Sequence, residues 1–169
     1  SHLEVFDIQQ NKRILIYMDA THFEAPNWSV DGKFLLINSE GKLYKIDLNK
    51  KEKKFFDTGE GDKLNNDHGI SPSGKYIALS HSDQPGVPFG AHDWKTSTVF
   101  IFSPAIGSLK AITQEGSFWH GWSPDERSIV YTGLRNQNFD IYISDIKGGP
   151  ERRLTFHEGL DDGPEFSAD

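Results

Sequence analysis

The chain has 169 residues, a formal charge of -7 from 18 Lys plus Arg against 25 Asp plus Glu, and no cysteine. That acidic balance repels phosphate backbones and argues against nucleic acid as a partner, while the missing thiols exclude disulfides, thiolate nucleophiles and cysteine-ligated metal centres and leave the compartment open. No apolar run approaches the roughly 20 residues of a membrane-spanning helix.

In chain order, Ser1-His2-Leu3-Glu4-Val5 shows no charged leader with an apolar block, so any targeting signal was removed or never existed. Leu3 to Ile8 alternates apolar and polar residues, as a half-buried strand does, and Asn11 to Tyr17 reads as its neighbour. Ala25-Pro26-Asn27-Trp28-Ser29 then enters a Val30-Asp31-Gly32 turn, followed by the strands Lys33 to Asn38, Lys42 to Leu48 and Lys53 to Asp57. Between the last two, Lys50-Lys51-Glu52-Lys53-Lys54 reads as a solvated hairpin tip. The Trp/Ile-Ser phrase returns at Ile70-Ser71-Pro72-Ser73-Gly74-Lys75, Trp122-Ser123-Pro124-Asp125-Glu126-Arg127 and Phe166-Ser167-Ala168-Asp169, its serines 42, 52 and 44 residues apart. A strand-built repeat of that length predicts an all-β propeller of four-stranded antiparallel blades. The strands Phe34 to Ile37, Tyr76 to Leu79 and Ile129 to Tyr131 are apolar without alternation, as sheets covered on both faces require.

The expected organisation is about three complete blades plus partial blades at both ends. Residues 1–22 supply outer strands, 23–64 a blade, 65–116 a blade with an inserted upper-face loop at 82–97, 117–159 a blade, and 160–169 the innermost strand of an incomplete one. The ends are complementary in kind, which suggests either part of a longer propeller or a head-to-tail homodimer, in both cases a ring of about six blades. Trp28, Trp122 and Phe166, each just before its serine, are expected between blades.

The phrase Trp122-Ser123-Pro124-Asp125-Glu126-Arg127, followed by an apolar strand and Asp140-Ile141-Tyr142-Ile143-Ser144-Asp145-Ile146, resembles the repeat of the TolB-like propeller family. The likeness covers nearly the whole chain and departs from the usual pattern at Ser73 and Glu126, where Asp and Gly are customary. A complete family member would continue past Asp169. The resemblance implies a bacterial protein of the periplasm or the cytoplasm, without choosing between them. Similar repeats serve envelope scaffolds, the gating propellers of serine peptidases and the lyases that cut oligogalacturonate.

Loops into the innermost strands and between second and third strands share the upper face of a propeller. Asp67, His68, His120, Asp161 and Asp162 are therefore candidate ligand-binding residues, with His81 at the end of a second strand. His92, Asp93 and Trp94 join them from the long loop, whose aromatics could stack on a sugar or cover the blade top. His68 and His120 each precede a serine by three residues, so adjacent blades should carry them at one height. Two such imidazoles could share a divalent metal or an anion, or each could simply bond a neighbouring strand's backbone. No cofactor is otherwise expected. The serines stand in structural turns, no Gly-x-Ser-x-Gly elbow or phosphate-cradling loop appears, and Asp57 to Lys63 reads as a plain connection.

The leading expectation is a non-catalytic module that binds a protein partner or a small carbohydrate-like ligand through its upper face and central channel. The alternatives are a metal-assisted lyase of the oligogalacturonate type and a peptidase's gating propeller.

Overall fold

Neighbouring strands of opposite direction build every sheet of the structure, a computed structural model that describes residues 1–82 and 95–168. The strands are β1 (His2–Asp7), β2 (Lys12–Met18), β3 (Glu24–Trp28), β4 (Phe34–Ser39), β5 (Lys42–Asp47), β6 (Lys53–Phe56), β7 (Leu64–Ile70) and β8 (Ile77–Ser82). They continue as β9 (Ser97–Ser103), β10 (Ser108–Ala111), β11 (Ser117–Trp122), β12 (Ser128–Arg135), β13 (Asn138–Asp145) and β14 (Arg152–Arg153). β3 to β6 form the first four-stranded blade, β7 to β10 the second and β11 to β14 the third, while β1 and β2 pair as a two-stranded sheet. The innermost strands touch in sequence, β3 against β7 and β7 against β11, as blades around a common hub must.

The core lies in slabs between blades, which explains the unbroken apolar second strands. In β4, Leu35 and Ile37 pack toward β1 with Leu3 and Phe23, while Leu36 faces the second blade beside Leu64 and Leu79. In β8, Ala78 faces the third blade, where it joins Val99, Ile129 and Tyr131. Each fully buried aliphatic side chain of this kind contributes about 1.5–3 kcal/mol.

The serine phrase is a turn lock. Ser29, Ser71 and Ser123 each donate a backbone N–H to the carbonyl five residues on, at Phe34, Tyr76 and Ser128. Their hydroxyls accept from the backbone N–H of Phe34, Tyr76 and Ser128 in turn, at 3.0, 3.2 and 2.9 Å. Two of the hydroxyls also donate to the following aspartate, Ser29 to Asp31 and Ser123 to Asp125. The turn needs a left-handed residue three positions after the serine, supplied by Gly32 (φ 68°), Gly74 (φ 76°) and, against its side-chain preference, Glu126 (φ 57°).

Two expectations need correction. Trp122 packs between blades as anticipated, its indole N–H donating to the Gly69 carbonyl at 3.1 Å and its ring stacked on Tyr76. Trp28 does not, and is 54% exposed. Its neighbour is the two-stranded β1–β2 sheet, which offers no counterpart of β7 and β8 to receive the indole. Residues 160–168 form no strand, because no described strand lies alongside the Gly163–Ser167 stretch to complete its ladder. The lysine-rich turn is exposed as expected, apart from the partly buried Lys53. Lys53 pairs with Asp19 at 3.0 Å and lies over the Tyr44 ring, and Lys51 donates to the Leu15 carbonyl, tying the first blade to β2.

Candidate functional site

The innermost strands of the second and third blades both shift register ahead of the repeat phrase, but at different residues, and that difference builds the site. Leu79 and Tyr131 hold the same place in their blades, each eight residues after the repeat serine. Across the ladder from Leu79 stands His68, but across from Tyr131 stands Trp119, because β11 bulges between Trp119 and Gly121. His120 is thus the extra residue, re-aimed as bulged residues are. Trp119 takes the inter-blade position instead, its ring against Gly69 so closely that a β-carbon there would lie 1.9 Å from Cη2.

The two histidines therefore have different surroundings. His68 is 2% exposed, with Nδ1 at 3.2 Å from the Asn66 carbonyl and a further backbone contact at Leu36. Burial, against those two contacts, holds its imidazole down to about 4. It is a packing group bonded to backbone, and its carbonyl accepts from the Asn27 amide of the first blade at 3.0 Å. His120 instead lines a cavity of about 610 Å³ between the second and third blades.

Asp67 and Asp162 line the same cavity, together with Asn66, Lys95 and Thr132; the apolar wall is Phe118, Leu134, Phe139 and Leu160. His120 Nε2 lies 3.0 Å from Asp162 Oδ1, which also accepts from the Thr132 hydroxyl at 2.7 Å and the Gly163 N–H at 2.9 Å. Burial pushes Asp162 up, but Thr132, Gly163 and His120 outweigh it and hold the carboxyl below the usual range. Asp67 goes the other way. Burial pushes its carboxyl up to about 6, His120 pulls it back, and Asp162 adds repulsion. Its side-chain donor is the Asn65 amide at 3.0 Å, and Asn65 Oδ1 in turn accepts the Asp67 N–H. An imidazole thus stands near two carboxyls of unlike acidity, one firmly ionised and one that exchanges its proton near neutrality.

Of the residues singled out from sequence, the cavity brings together Asp67, His120 and Asp162. His81 is elsewhere, edge-on to Phe100 in β9 with Nε2 4.0 Å from Asp62 Oδ1. Asp161 does not line the cavity, and its N–H ties the C-terminal segment to the Phe139 carbonyl. His92, Asp93 and Trp94 lie outside the described residues. Among the described residues, no three His, Asp or Glu side chains converge as a metal centre would require, and His68 does not line the cavity that holds His120. Sequence reading missed Thr132, Leu134 and Phe139, which reach the cavity from the β12–β13 hairpin and look like ordinary strand residues.

No family model matches the sequence. The chain is 44% identical over 171 residues to an uncharacterised protein of Agrobacterium fabrum, covering 100% of this chain and 55% of that one. A solved structure from Agrobacterium tumefaciens, described as a TolB candidate, superposes with a TM-score of 0.86 at 42% identity over 98% of this chain and 57% of the other. The chain is a TolB-like β-propeller. TolB of Acinetobacter baumannii shares the fold at a TM-score of 0.77 and 19% identity, over 99% of this chain and 40% of that one. This TolB-like chain spans little more than half the length of the curated relative it matches. Among its described residues no helix is long and apolar enough to cross a membrane.

Proposed function

We propose that this TolB-like propeller is a non-catalytic binding module that takes a small ligand or a segment of a partner protein at its upper face. The observation that carries this reading is the cavity of about 610 Å³ in which Asp67, His120 and Asp162 meet an apolar wall. A concave, mostly apolar pocket with a few convergent polar groups is the usual form of a ligand site. Among the described residues no Ser or Cys lines the cavity beside the imidazole, and Ser29, Ser71 and Ser123 are engaged in their turns. The lyase alternative drew on the upper-face histidines as a group, of which His120 alone lines the cavity among the described residues.

The test is a ligand screen read by the imidazole signals of His120 in proton NMR, with the exposed His22 as control. Neutral sugars, uronates and short peptides should include ligands that move His120 and leave His22 still. If ligands bind yet move only signals remote from His120, the upper-face assignment is wrong. Ultraviolet-absorbing product from uronate oligomers would restore the enzyme reading.

A further inference from the structure

Resting on the binding-module reading, we infer that the cavity between the second and third blades receives a primary ammonium group on an apolar stem, with Asp67 as its counter-ion. Of the polar groups that line the cavity, the two carboxyls are unequally satisfied. Asp162 already has two hydrogen-bond donors on Oδ1, Thr132 and Gly163, with His120 Nε2 3.0 Å away as an ion-pair partner, and is held ionised. Asp67 has the Asn65 amide as its side-chain donor and is forced toward its neutral form by burial. The charges acting on it most strongly are His120 of β11, Asp162 of the C-terminal segment and Glu24 of β3, two of the three being acidic. Lys95 also lines the cavity, but an anion brought to this carboxyl would meet repulsion from Asp162 and Glu24. An ammonium would supply the donors that Asp67 lacks and restore its charge.

The rest of the cavity selects the body that carries the cation. Phe118 and Phe139 lie with ring centroids 6.4 Å apart and planes inclined by 54°, beside Leu134 and Leu160. Leu160 is 69% exposed, so an alkyl stem laid there would cover apolar surface now in water. A free alkylamine and a lysine side chain on a docked polypeptide present the same chemistry.

Calorimetric titration with n-hexylammonium, hexanol and hexanoate tests the inference, with His120 NMR as the local reporter. Hexylammonium should bind at least about tenfold more tightly than hexanol, as expected for a charge-assisted hydrogen bond, and hexanoate more weakly than either. Its affinity should fall about tenfold per pH unit below pH 6, with proton release visible as a dependence of the heat on buffer. Asp67→Asn should abolish the preference for hexylammonium over hexanol, whereas Phe139→Ala should weaken both alike. A lysine peptide that binds where its acetyl-lysine form does not would identify a polypeptide source, and hexylammonium binding without the peptide a free amine. Equal affinities for hexylammonium and hexanol, or an Asp67→Asn variant of unchanged preference and intact fold, would overturn the inference. If a sugar or hexanoate moves His120 while hexylammonium does not, the ligand class is wrong and the module reading stands.

Discussion

Ser73 and Glu126 are the two places where the repeat phrase departs from its usual Asp and Gly, and they bond to each other. The Ser73 N–H and hydroxyl both donate to the Glu126 carboxylate, the second at 2.8 Å, joining the turns of the second and third blades. Burial pushes Glu126 up, but Ser73 and Ser71 outweigh it and hold the carboxyl below its ordinary value. Each departure thus compensates for the other. Glu126 sits in a left-handed conformation that costs about 1 kcal/mol or more, and the bonds across the blades offset that strain. Ser73→Asp alone should lose on the order of 1 kcal/mol, since it sets a carboxylate against Glu126. Adding Glu126→Gly should recover most of that loss, because it removes both the repulsion and the strained residue. Urea unfolding of the two single variants and the double variant measures this coupling. Additive losses would show that the two residues act independently.

At the scale of elements, the meeting of the second and third blades depends on a glycine. Gly69 admits the Trp119 ring, and its carbonyl holds the Trp122 indole. Gly69→Ala would drive a methyl group into Trp119 and should cost about 1–3 kcal/mol, read as a lower urea midpoint. Gly32→Ala is a contrasting case: nothing lies within 4 Å, so its loss should come from backbone strain alone. The strands themselves were legible in the sequence, because apolar runs such as Phe34 to Ile37 and turn phrases such as Val30-Asp31-Gly32 fix period and punctuation locally. The bulge was not. Asp67-His68-Gly69 and Trp119-His120-Gly121 share His-Gly at the same distance from the serine, and alignment in sequence hides a slip in the ladder. Asp67, His120 and Asp162 were found by their place before the repeat phrase. Thr132 and Phe139 were not, since nothing in a strand's pattern marks which hairpin overhangs a neighbour's cavity.

For the whole molecule, two adjacent residues respond to pH in opposite directions. The folded state holds Asp67 at about 6 against an ordinary 3.8, so it binds a proton more tightly than the unfolded chain, and this part of stability falls as pH rises from about 4 to 6. His68 is held at about 4 against an ordinary 6.5, so its contribution is complete above 6.5 and is lost as pH falls toward 4. Over their shared window the two slopes oppose. Asp67→Asn removes the first, so the variant's stability should rise with pH more steeply than the wild type's between pH 4 and 6, by up to ~1.4 kcal/mol per pH unit. Urea midpoints at pH 4.5, 5.5 and 6.5 give the comparison. Parallel curves would mean that burial does not hold the Asp67 proton.

The extra residue at His120 has a wider meaning for how such molecules diversify. All three innermost strands shift register just ahead of the repeat phrase, between Glu24 and Asn27, Leu64 and His68, and Trp119 and Gly121, so each blade can re-aim different side chains there without disturbing the rest of its hydrogen-bonded frame. Deleting His120 should erase the recess while β12 to β14 keep their ladder, so recognition here is separable from the architecture that carries it.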